Sequence, residues 1–580
     1  MISKCEWHDY AGYLQNKQIS TDLLEGLDGF EFEERADYLP PSILAKWSPN
    51  NKHFRAIQKK LTQVGAKLLV GPRGAGKTHY MRHAYLDCKE NKNLPLPLYV
   101  SFNHYLRLET YIHETSNAIE IFHAWVLAKI VLACYDDYNI FPFEEITIDD
   151  IKNFILDIEK QNYKTEHNKV ITSLSIESTQ DIIDTCANKQ GRKRTVLFFD
   201  DAALTLTKEY MVEFFDIFRS IKTSRISPKA SVYPGTTQYG PRFHVGQDAE
   251  PVMIWQEVDQ SDYINFMLEL VKERFNNIPQ IDTEINQLLI YASFGIPRAY
   301  INLVRAYSES NAKTKQSKFN MVIEERCKYL YDEYISIIDK LPQYGVYVKS
   351  GWDFFYKIVS DLKEINHINI RKDGVNYKKI VSIGIEDLNT DKIERVISFL
   401  IEAGLLYDLS STSHGVGRTL RRFTPHYAFL IKEKIFSVSR GFNATNLVTI
   451  LDAPSEKHPL RRSMYSLITK QNYEAISLTL PNCSNCGAKR LADNQKFCHQ
   501  CGKQLVDESA FRLCMKKNLV ELPLTDFQKS VIKQTNFKTV EDVISSKNTA
   551  TEFMKVKQVA QKRAATLEFK VRTWVNEFLA

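Results

Sequence analysis

The sequence predicts a multidomain α/β chain, with a parallel sheet first, an all-helical stretch next and smaller units towards the C-terminus. Three observations carry this expectation. Gly71, Pro72, Arg73, Gly74, Ala75, Gly76, Lys77 and Thr78 match G-x-x-x-x-G-K-[ST] between the apolar run 66–70 and a helix-competent stretch from His79 to about Cys88. Residues 195–201 read Thr-Val-Leu-Phe-Phe-Asp-Asp, four apolar residues ahead of two acids, the pattern of a strand buried on both faces. Cys483-x-x-Cys486-Gly and Cys498-x-x-Cys501-Gly stand eleven residues apart.

A chain of 580 residues is too long for one core and suggests several domains. The hydrophobic fraction of 44% excludes wholesale disorder. Net charge is only +6, but residues 481–580 alone hold 17 Lys and Arg against 10 Asp and Glu, a surplus of seven. The C-terminal end is therefore the place for an anionic partner, or a set of solvated lysine faces. Six scattered cysteines and four crowded into nineteen residues suit a reduced chain with one metal site. The first residues lack an apolar signal core and no run of eighteen apolar residues occurs, so the expected setting is the cytoplasm, with no membrane partner.

In order, residues 1–54 are a lead-in with no assigned role, acidic at Glu31, Glu33, Glu34 and Asp37, and 54–61 form an amphipathic helix. In the loop at 71–78, glycines let backbone N–H groups close round a phosphate at a helix N-terminus. Lys77 reaches the β- and γ-phosphates of ATP, and the Thr78 hydroxyl ligates Mg²⁺. A buried strand follows at 96–102 and a long apolar-faced helix at 118–135. Residues 136–194 are a polar insertion whose Ser/Thr-rich part, 172–179, reads as a loop. Asp200 stands where the Mg²⁺ shell needs a carboxylate, and Asp201 where a carboxylate polarises the attacking water. A helix at 208–222 leads to a short strand at 230–235. Thr236 or Thr237 at its end is a γ-phosphate sensor or part of a turn. Arg242 is a cation able to reach a neighbouring subunit's γ-phosphate, or a surface ion pair. After a strand at 251–255 the pattern is helical from 261 to 341, and Gly295 and Pro297 punctuate it so that Arg298 starts a helix pointing back at the phosphates.

The loop 71–78, the acid strand 196–201, Thr236/Thr237, Arg242 and Gly295-Ile296-Pro297-Arg298 together resemble the AAA+ ATPases, most closely the origin-recognition (ORC-like) initiators, with the signalling (STAND) ATPases as nearest neighbours. The resemblance covers about residues 50–340. It implies a core at 55–258 with a five-stranded parallel sheet, a helical lid at 259–341, nucleotide at their junction, ATP hydrolysis, and assembly into an oligomer through a trans-acting arginine. Asp201 departs from the glutamate many of these proteins carry, and the shorter side chain implies slow hydrolysis.

Residues 342–440 look like a winged helix: a recognition helix at 391–406, then a hairpin carrying Arg418, Arg421 and Arg422, for DNA phosphates or for a protein partner. Residues 441–480 read as a linker, punctuated by Pro454 and Pro459. The four cysteines of 481–506 bring four thiolates to tetrahedral Zn²⁺ with no open position, which makes the site structural. The piece resembles a short zinc ribbon. Residues 507–580 are helical, and 553–564 look like the turn of a helix-hairpin-helix unit, with Gln558 and Ala560 where that family has glycines. Lys557, Lys562 and Arg563 supply charge there for DNA. No nuclease, protease or deaminase constellation is present in the sequence, so an effector would be a separate protein.

Overall fold

In the computed structural model the strand ahead of the glycine-rich loop is Lys67–Val70 (β1), buried along its whole length. The structure describes residues 36–579 except 37–38, 50, 103–107, 109–110, 113–114, 203–207, 273, 275–280, 375–376, 387–389, 414–418, 439–440, 442, 484, 492–494, 496, 504, 506–509 and 547–548. With Leu96–Ser101 (β2), Thr195–Asp200 (β3), Ile226–Val232 (β4) and Glu250–Met253 (β5), β1 builds a parallel sheet in the order β2-β3-β4-β1-β5. Every pairing is parallel, with Leu68 opposite both Ala230 and Pro251, and Phe199 opposite Val100 and Ala230. This is the five-stranded α/β P-loop sheet the sequence implied.

Helices cover both faces. On one lie Lys52–Thr62 (α2, after the short α1 at Pro41–Lys46) and Lys77–Glu90 (α3); Phe54, Ile57 and Leu61 of α2 pack with Val196 and Phe198 of β3. The Asn51 side chain caps α2 by accepting the Phe54 N–H at 2.8 Å. On the other face lies Ala118–Tyr138 (α4), whose length and composition would let it cross a membrane. Its most apolar window is 61% buried within the protein, as in a core helix.

The insertion expected to loop over 172–179 is helical instead: Ile148–Glu159 (α5), Asn168–Ser173 (α6) and Ile176–Lys189 (α7). Two of its hydroxyl residues are caps, Thr147 accepting the Asp150 N–H and Ser175 the Ser178 N–H. Thr172, Ser173 and Thr179 instead donate to the carbonyls four residues back, within the helices or from their first turn. The strand expected at 230–235 runs instead from Ile226 to Val232, paired from Ile226 with β3 and taking in the fully buried Lys229. Burial, reinforced by Lys67, pushes the Lys229 amine down to about 6, and it donates to the backbone carbonyls of Gln63 and Gly65.

After Lys208–Ser220 (α8) and the sheet, the lid runs through Tyr263–Lys272 (α9), Thr283–Ser293 (α10), Pro297–Glu309 (α11), Lys315–Ile335 (α12) and Ile337–Lys340 (α13). Its core continues into Gly345–Asp373 (α14), Asp391–Glu402 (α15) and a second sheet, with Ile383–Glu386 (β6), Leu406–Ser413 (β7), Thr419–Pro425 (β8) and Leu460–Ser463 (β9) in the order β7-β8-β6-β9. Residues 441–480 are therefore not a bare linker. Beyond Tyr427–Lys432 (α16) they form Ala444–Asp452 (α17), the edge strand β9, and Met464–Leu467 (α18) and Lys470–Ala475 (α19). A four-residue strand that directly follows Pro459 has too few residues to show a periodicity.

The last helices are Ala510–Lys516 (α20), Asp526–Lys533 (α21), Val540–Ser545 (α22), Thr549–Met554 (α23) and Gln561–Leu579 (α24). Thr525 and Thr539 close capping boxes on α21 and α22. α20 packs on α13, and the Lys517 ammonium sits 3.5 Å from Asp339.

Candidate functional site

Backbone conformation forces glycine into the loop between β1 and α3. Gly74 and Gly76 have φ of +81° and +93°, in the left-handed region. A Cβ on Gly74 would also stand 3.0 Å from Arg298 Cβ and 3.2 Å from Ile296 Cγ2, so the start of α11 rests directly on the loop. The Arg298 N–H donates to the Gly74 carbonyl at 3.3 Å. Gly71, in turn, sits where a Cβ would be 2.8 Å from Ile254.

Lys77 is buried and curls back, donating to the carbonyls of Gly71 at 2.7 Å and Pro72 at 3.1 Å, with its ammonium 3.7 Å from the centre of the Tyr233 ring. Burial pushes it down to about 7, against the pull of Asp201 and Asp200. A phosphate there would supply the counter-charge that favours the protonated form. Arg73, Gly76 and Thr78 are half-buried around it, and Ala75 is buried against α2 and α3.

Asp200 is 2% exposed at the end of β3. Its Oδ2 accepts from the Tyr99 hydroxyl at 2.6 Å, and its Oδ1 accepts from the Asp201 N–H at 3.0 Å. That same N–H also reaches Ser231 Oγ at 2.8 Å, and Asp201 takes φ +54°, unusual for a residue with a side chain. Tyr99 and Ser231 were not singled out from the sequence. Both are ordinary strand residues, and only the parallel register brings them to the acids. Carboxylates at this place, with the Thr78 hydroxyl at the start of α3, are the oxygen ligands a Mg²⁺–nucleotide needs.

The two threonines divide. The Thr237 hydroxyl closes the turn, donating to the Tyr233 carbonyl at 2.7 Å and accepting the Tyr233 N–H at 3.2 Å. Thr236 lies near the Glu402 carboxyl at the end of α15 and favours its charged form. Glu402 is held above the usual carboxylate range by burial, with Thr236, Lys340, Lys77 and Arg395 opposing that rise. Lys340, at the end of α13, is pushed down to about 8 by burial and by Arg73, with Glu402 and Glu333 opposing. Neither Glu402 nor Lys340 belongs to a motif; the signal for them is tertiary. Arg242 is far more open, its side chain 72% exposed and 3.5 Å from Asp216.

The helix expected to read DNA is thus turned inwards. A Cβ on Gly235 would lie 2.8 Å from the Ser398 carbonyl, and the Gln238 side-chain amide lies 2.8 Å from the Arg395 guanidinium. Of the hairpin arginines, Arg421 pairs with Glu394 at 2.6 Å and Asp408 at 2.8 Å, and Arg422 donates to the Leu409 carbonyl at 3.3 Å. Arg418 lies outside the described residues.

The cysteines converge. Cys483 and Cys501 sulfurs are 3.5 Å apart, Cys486 and Cys498 sulfurs 3.4 Å, and all four lie within 4.8 Å of one another. A Zn–S length of about 2.3 Å gives a tetrahedral edge of about 3.8 Å, so the set fits zinc. Gly487 and Gly502 both take positive φ, and their N–H groups donate to the Cys483 and Cys498 carbonyls, which makes the two knuckles alike. Backbone N–H from Lys503 pulls the Cys501 thiol down to about 6, favouring the thiolate that a metal binds. A second cluster, Asp157, Glu166 and His167, holds its own cation: Lys164 is 2.8 Å from Asp157 and 3.5 Å from Glu166. His167 Nδ1 accepts the Lys164 N–H at 3.1 Å, leaving the proton on Nε2, 3.4 Å from Asp157.

Between α23 and α24 the turn is made without glycine. Gln558 takes φ +71°, and its carbonyl accepts from the Arg563 guanidinium at 2.9 Å. Lys557, Gln558, Ala560, Lys562 and Arg563 are exposed on this turn while Val556 and Val559 anchor it. Arg563 also stands 5.4 Å over the Phe527 ring beside a cavity of about 360 Å³.

No protein-family model matches the chain and no curated protein matches it. Among solved structures it is similar to a Walker-type ATPase of Pyrococcus abyssi, at 12% identity and TM-score 0.37, covering 67% of this chain and 96% of that one. It is also similar to the ORC1 protein of Aeropyrum pernix in complex with DNA, at 13% identity and TM-score 0.29, covering 70% and 95%.

Proposed function

We propose that this chain is an AAA+ ATPase of ORC-like kind that binds ATP with Mg²⁺, hydrolyses it slowly, and switches the assembly of a DNA-associated complex. The observation that carries the reading is the loop 71–78 itself. Two left-handed glycines and a buried Lys77 held by loop carbonyls follow β1, and a buried Asp200 that accepts from Tyr99 ends β3 of the same parallel sheet. Lys77 would neutralise the β- and γ-phosphates, Thr78 and Asp200 would hold the metal, Asp201 would polarise water, and Arg298, bonded through its backbone to the loop, would reach the phosphates from the lid. Mg²⁺ supplies charge neutralisation of the phosphate oxygens when bound. Arg242 is exposed enough to serve a neighbouring copy, in keeping with an oligomer.

The DNA contacts are the surplus of C-terminal cations, Lys557, Lys562 and Arg563 above all, with Arg418, Arg421 and Arg422 of the hairpin as further candidates. The four-cysteine unit is a structural zinc site that stiffens the link to the helical end. Replication, mobile-element and phage-defence complexes in the cytoplasm all suit such a switch, with any effector a separate protein. Duplex-DNA binding measured at several salt concentrations tests the contact. Each phosphate cation removed, as in Lys562→Glu, should lower the salt slope by about one. A slope unchanged in Lys557→Glu, Lys562→Glu and Arg563→Glu would remove the C-terminal turn from the interface.

One observation favours a second reading, a STAND-like sensor that oligomerises on recognising a protein. α15 is docked on the nucleotide core by its polar face, as a closed state requires. Partner-triggered assembly without DNA would select it.

A further inference from the structure

The cavity of about 360 Å³ between α21 and α24 has an apolar floor and a cationic rim. Val531, Val559 and Leu567, all buried, make the floor, and Phe527 lines it while 44% exposed. Lys562 and Arg563 complete the rim, and no carboxylate lines the cavity. Arg563 is held in place there, its Nη1 donating to the Gln558 carbonyl at 2.9 Å and its guanidinium carbon 5.4 Å from the centre of the Phe527 ring. An open aromatic face beside a planar cation is the kind of surface on which a nucleobase stacks. The other polar groups of the lining are spent. Thr525 and Gln528 are tied to each other in the capping box, and the Thr566 hydroxyl donates to the Lys562 carbonyl at 2.8 Å. In the turn itself the Val559 and Arg563 N–H groups donate to the Val556 and Ala560 carbonyls at 3.1 and 3.0 Å. A phosphate arriving at this turn therefore meets cationic side chains at these positions, with those two N–H groups already engaged.

We propose that this cavity takes an unpaired base of single-stranded DNA, stacked against Phe527 with Arg563 at its edge and the flanking phosphates on Lys557 and Lys562. The inference rests on the reading of this turn as a DNA contact and adds the form of DNA it takes. Stacking decides the form. In a duplex both faces of each base are covered by its neighbours, so an exposed ring gains nothing from it, whereas an unstacked base offers a free π-face. Charge agrees with this occupant, because the strand brings anions to a rim that carries only cations. Sequence is not read here. With Thr525, Gln528 and Thr566 engaged with the protein itself, the lining offers a base its faces and little for its edges, so binding tolerates any base.

The test is equilibrium binding of the full chain to a short single-stranded oligonucleotide carrying 2-aminopurine and to the blunt duplex of the same sequence. The wild type should prefer the single strand and quench the 2-aminopurine on binding. Phe527→Ala and Phe527→Leu should each weaken the single strand by about tenfold and lose the quenching, while the duplex stays within about twofold. The salt slope should stay as in the wild type, because neither change removes a phosphate cation. Phe569→Ala, which removes a ring 58% exposed on the same helix but outside the cavity, should change nothing. A single strand bound no better than the duplex would overturn the inference. So would full single-strand affinity in Phe527→Leu, the result expected of a merely apolar groove suited to an acidic peptide. The reading beneath is separated by the duplex: if both forms bind equally and the salt slope falls in Lys562→Glu, the turn contacts DNA and only the base pocket fails; if neither form binds, both fail.

Discussion

Gly295→Ala should do more damage than its one methyl group suggests. Gly295 has φ +73°, and a Cβ there would lie 2.1 Å from the Gln256 carbonyl oxygen and 3.3 Å from Trp255 Cδ1. Close C···O approaches in proteins stop near about 3.3 Å, so backbone must move by about 1 Å. The left-handed conformation costs about 1–2 kcal/mol with a side chain present, and forced displacement in a packed site about 1–3 kcal/mol, or roughly 3 kcal/mol together. The site has little freedom to yield, since the Gly295 N–H donates to the Tyr263 hydroxyl at 2.9 Å and the Trp255 indole N–H to the Phe294 carbonyl at 2.7 Å. Displacement would carry Arg298 away from Gly74, so nucleotide affinity should fall along with stability. Gly246→Ala is the control: φ is +92°, but nothing lies within 4 Å of the added Cβ, leaving only the conformational cost. Urea unfolding and nucleotide titration of both variants give the answer. A Gly295→Ala protein no less stable than Gly246→Ala, with full nucleotide affinity, would refute the claim that this turn holds the lid on the loop.

Lys229 binds no proton in the folded protein above about pH 6, whereas in the unfolded chain it titrates near the ordinary lysine value of 10.5. The unfolded state therefore holds the extra proton between these values, and stability should rise with pH across that window by up to about 1.4 kcal/mol per unit. Lys229→Met should stabilise the protein at pH 7 and flatten the rise between pH 7 and 9; an unchanged slope would mean the amine is not neutral. Tyr99→Phe removes a hydrogen bond to a buried carboxylate, typically about 1.5–3 kcal/mol. The Mg²⁺ concentration for half-saturation should rise about tenfold or more while metal-free nucleotide binding stays put. Chelation should release about one zinc per chain and raise hydrogen exchange over 483–502, and Cys498→Ser should purify without zinc yet bind nucleotide. Zinc retained in Cys498→Ser would exclude this ligand set.

The central sheet was legible because strands buried on both faces are written as unbroken apolar runs, and the loop because its glycines answer to backbone geometry alone. β4 was misplaced by one lysine whose neutrality is a product of burial, and a neutral lysine has no signature in sequence. Serines and threonines near 175 look the same in a loop and at a helix start, and only the N–H three residues on decides between them. The recognition-helix pattern at 391–406 was legible as a helix but silent about direction. Its apolar stripe says which face is buried, yet the other face carries Glu394, Arg395 and Glu402, which suit water, DNA or a charged pocket equally. Tyr99, Lys340 and Glu402 reach the pocket from 22 to 325 residues away from Lys77, a relation created only by the fold.

Steady-state phosphate release from ATP by the purified chain, with and without duplex DNA, tests the central claim most directly. Turnover that is slow, rises with DNA, and disappears in both Lys77→Ala and Asp201→Asn is the result this account predicts. Turnover that survives in Lys77→Ala, or wild-type protein that neither binds nor hydrolyses ATP in the presence of Mg²⁺ and DNA, would contradict it.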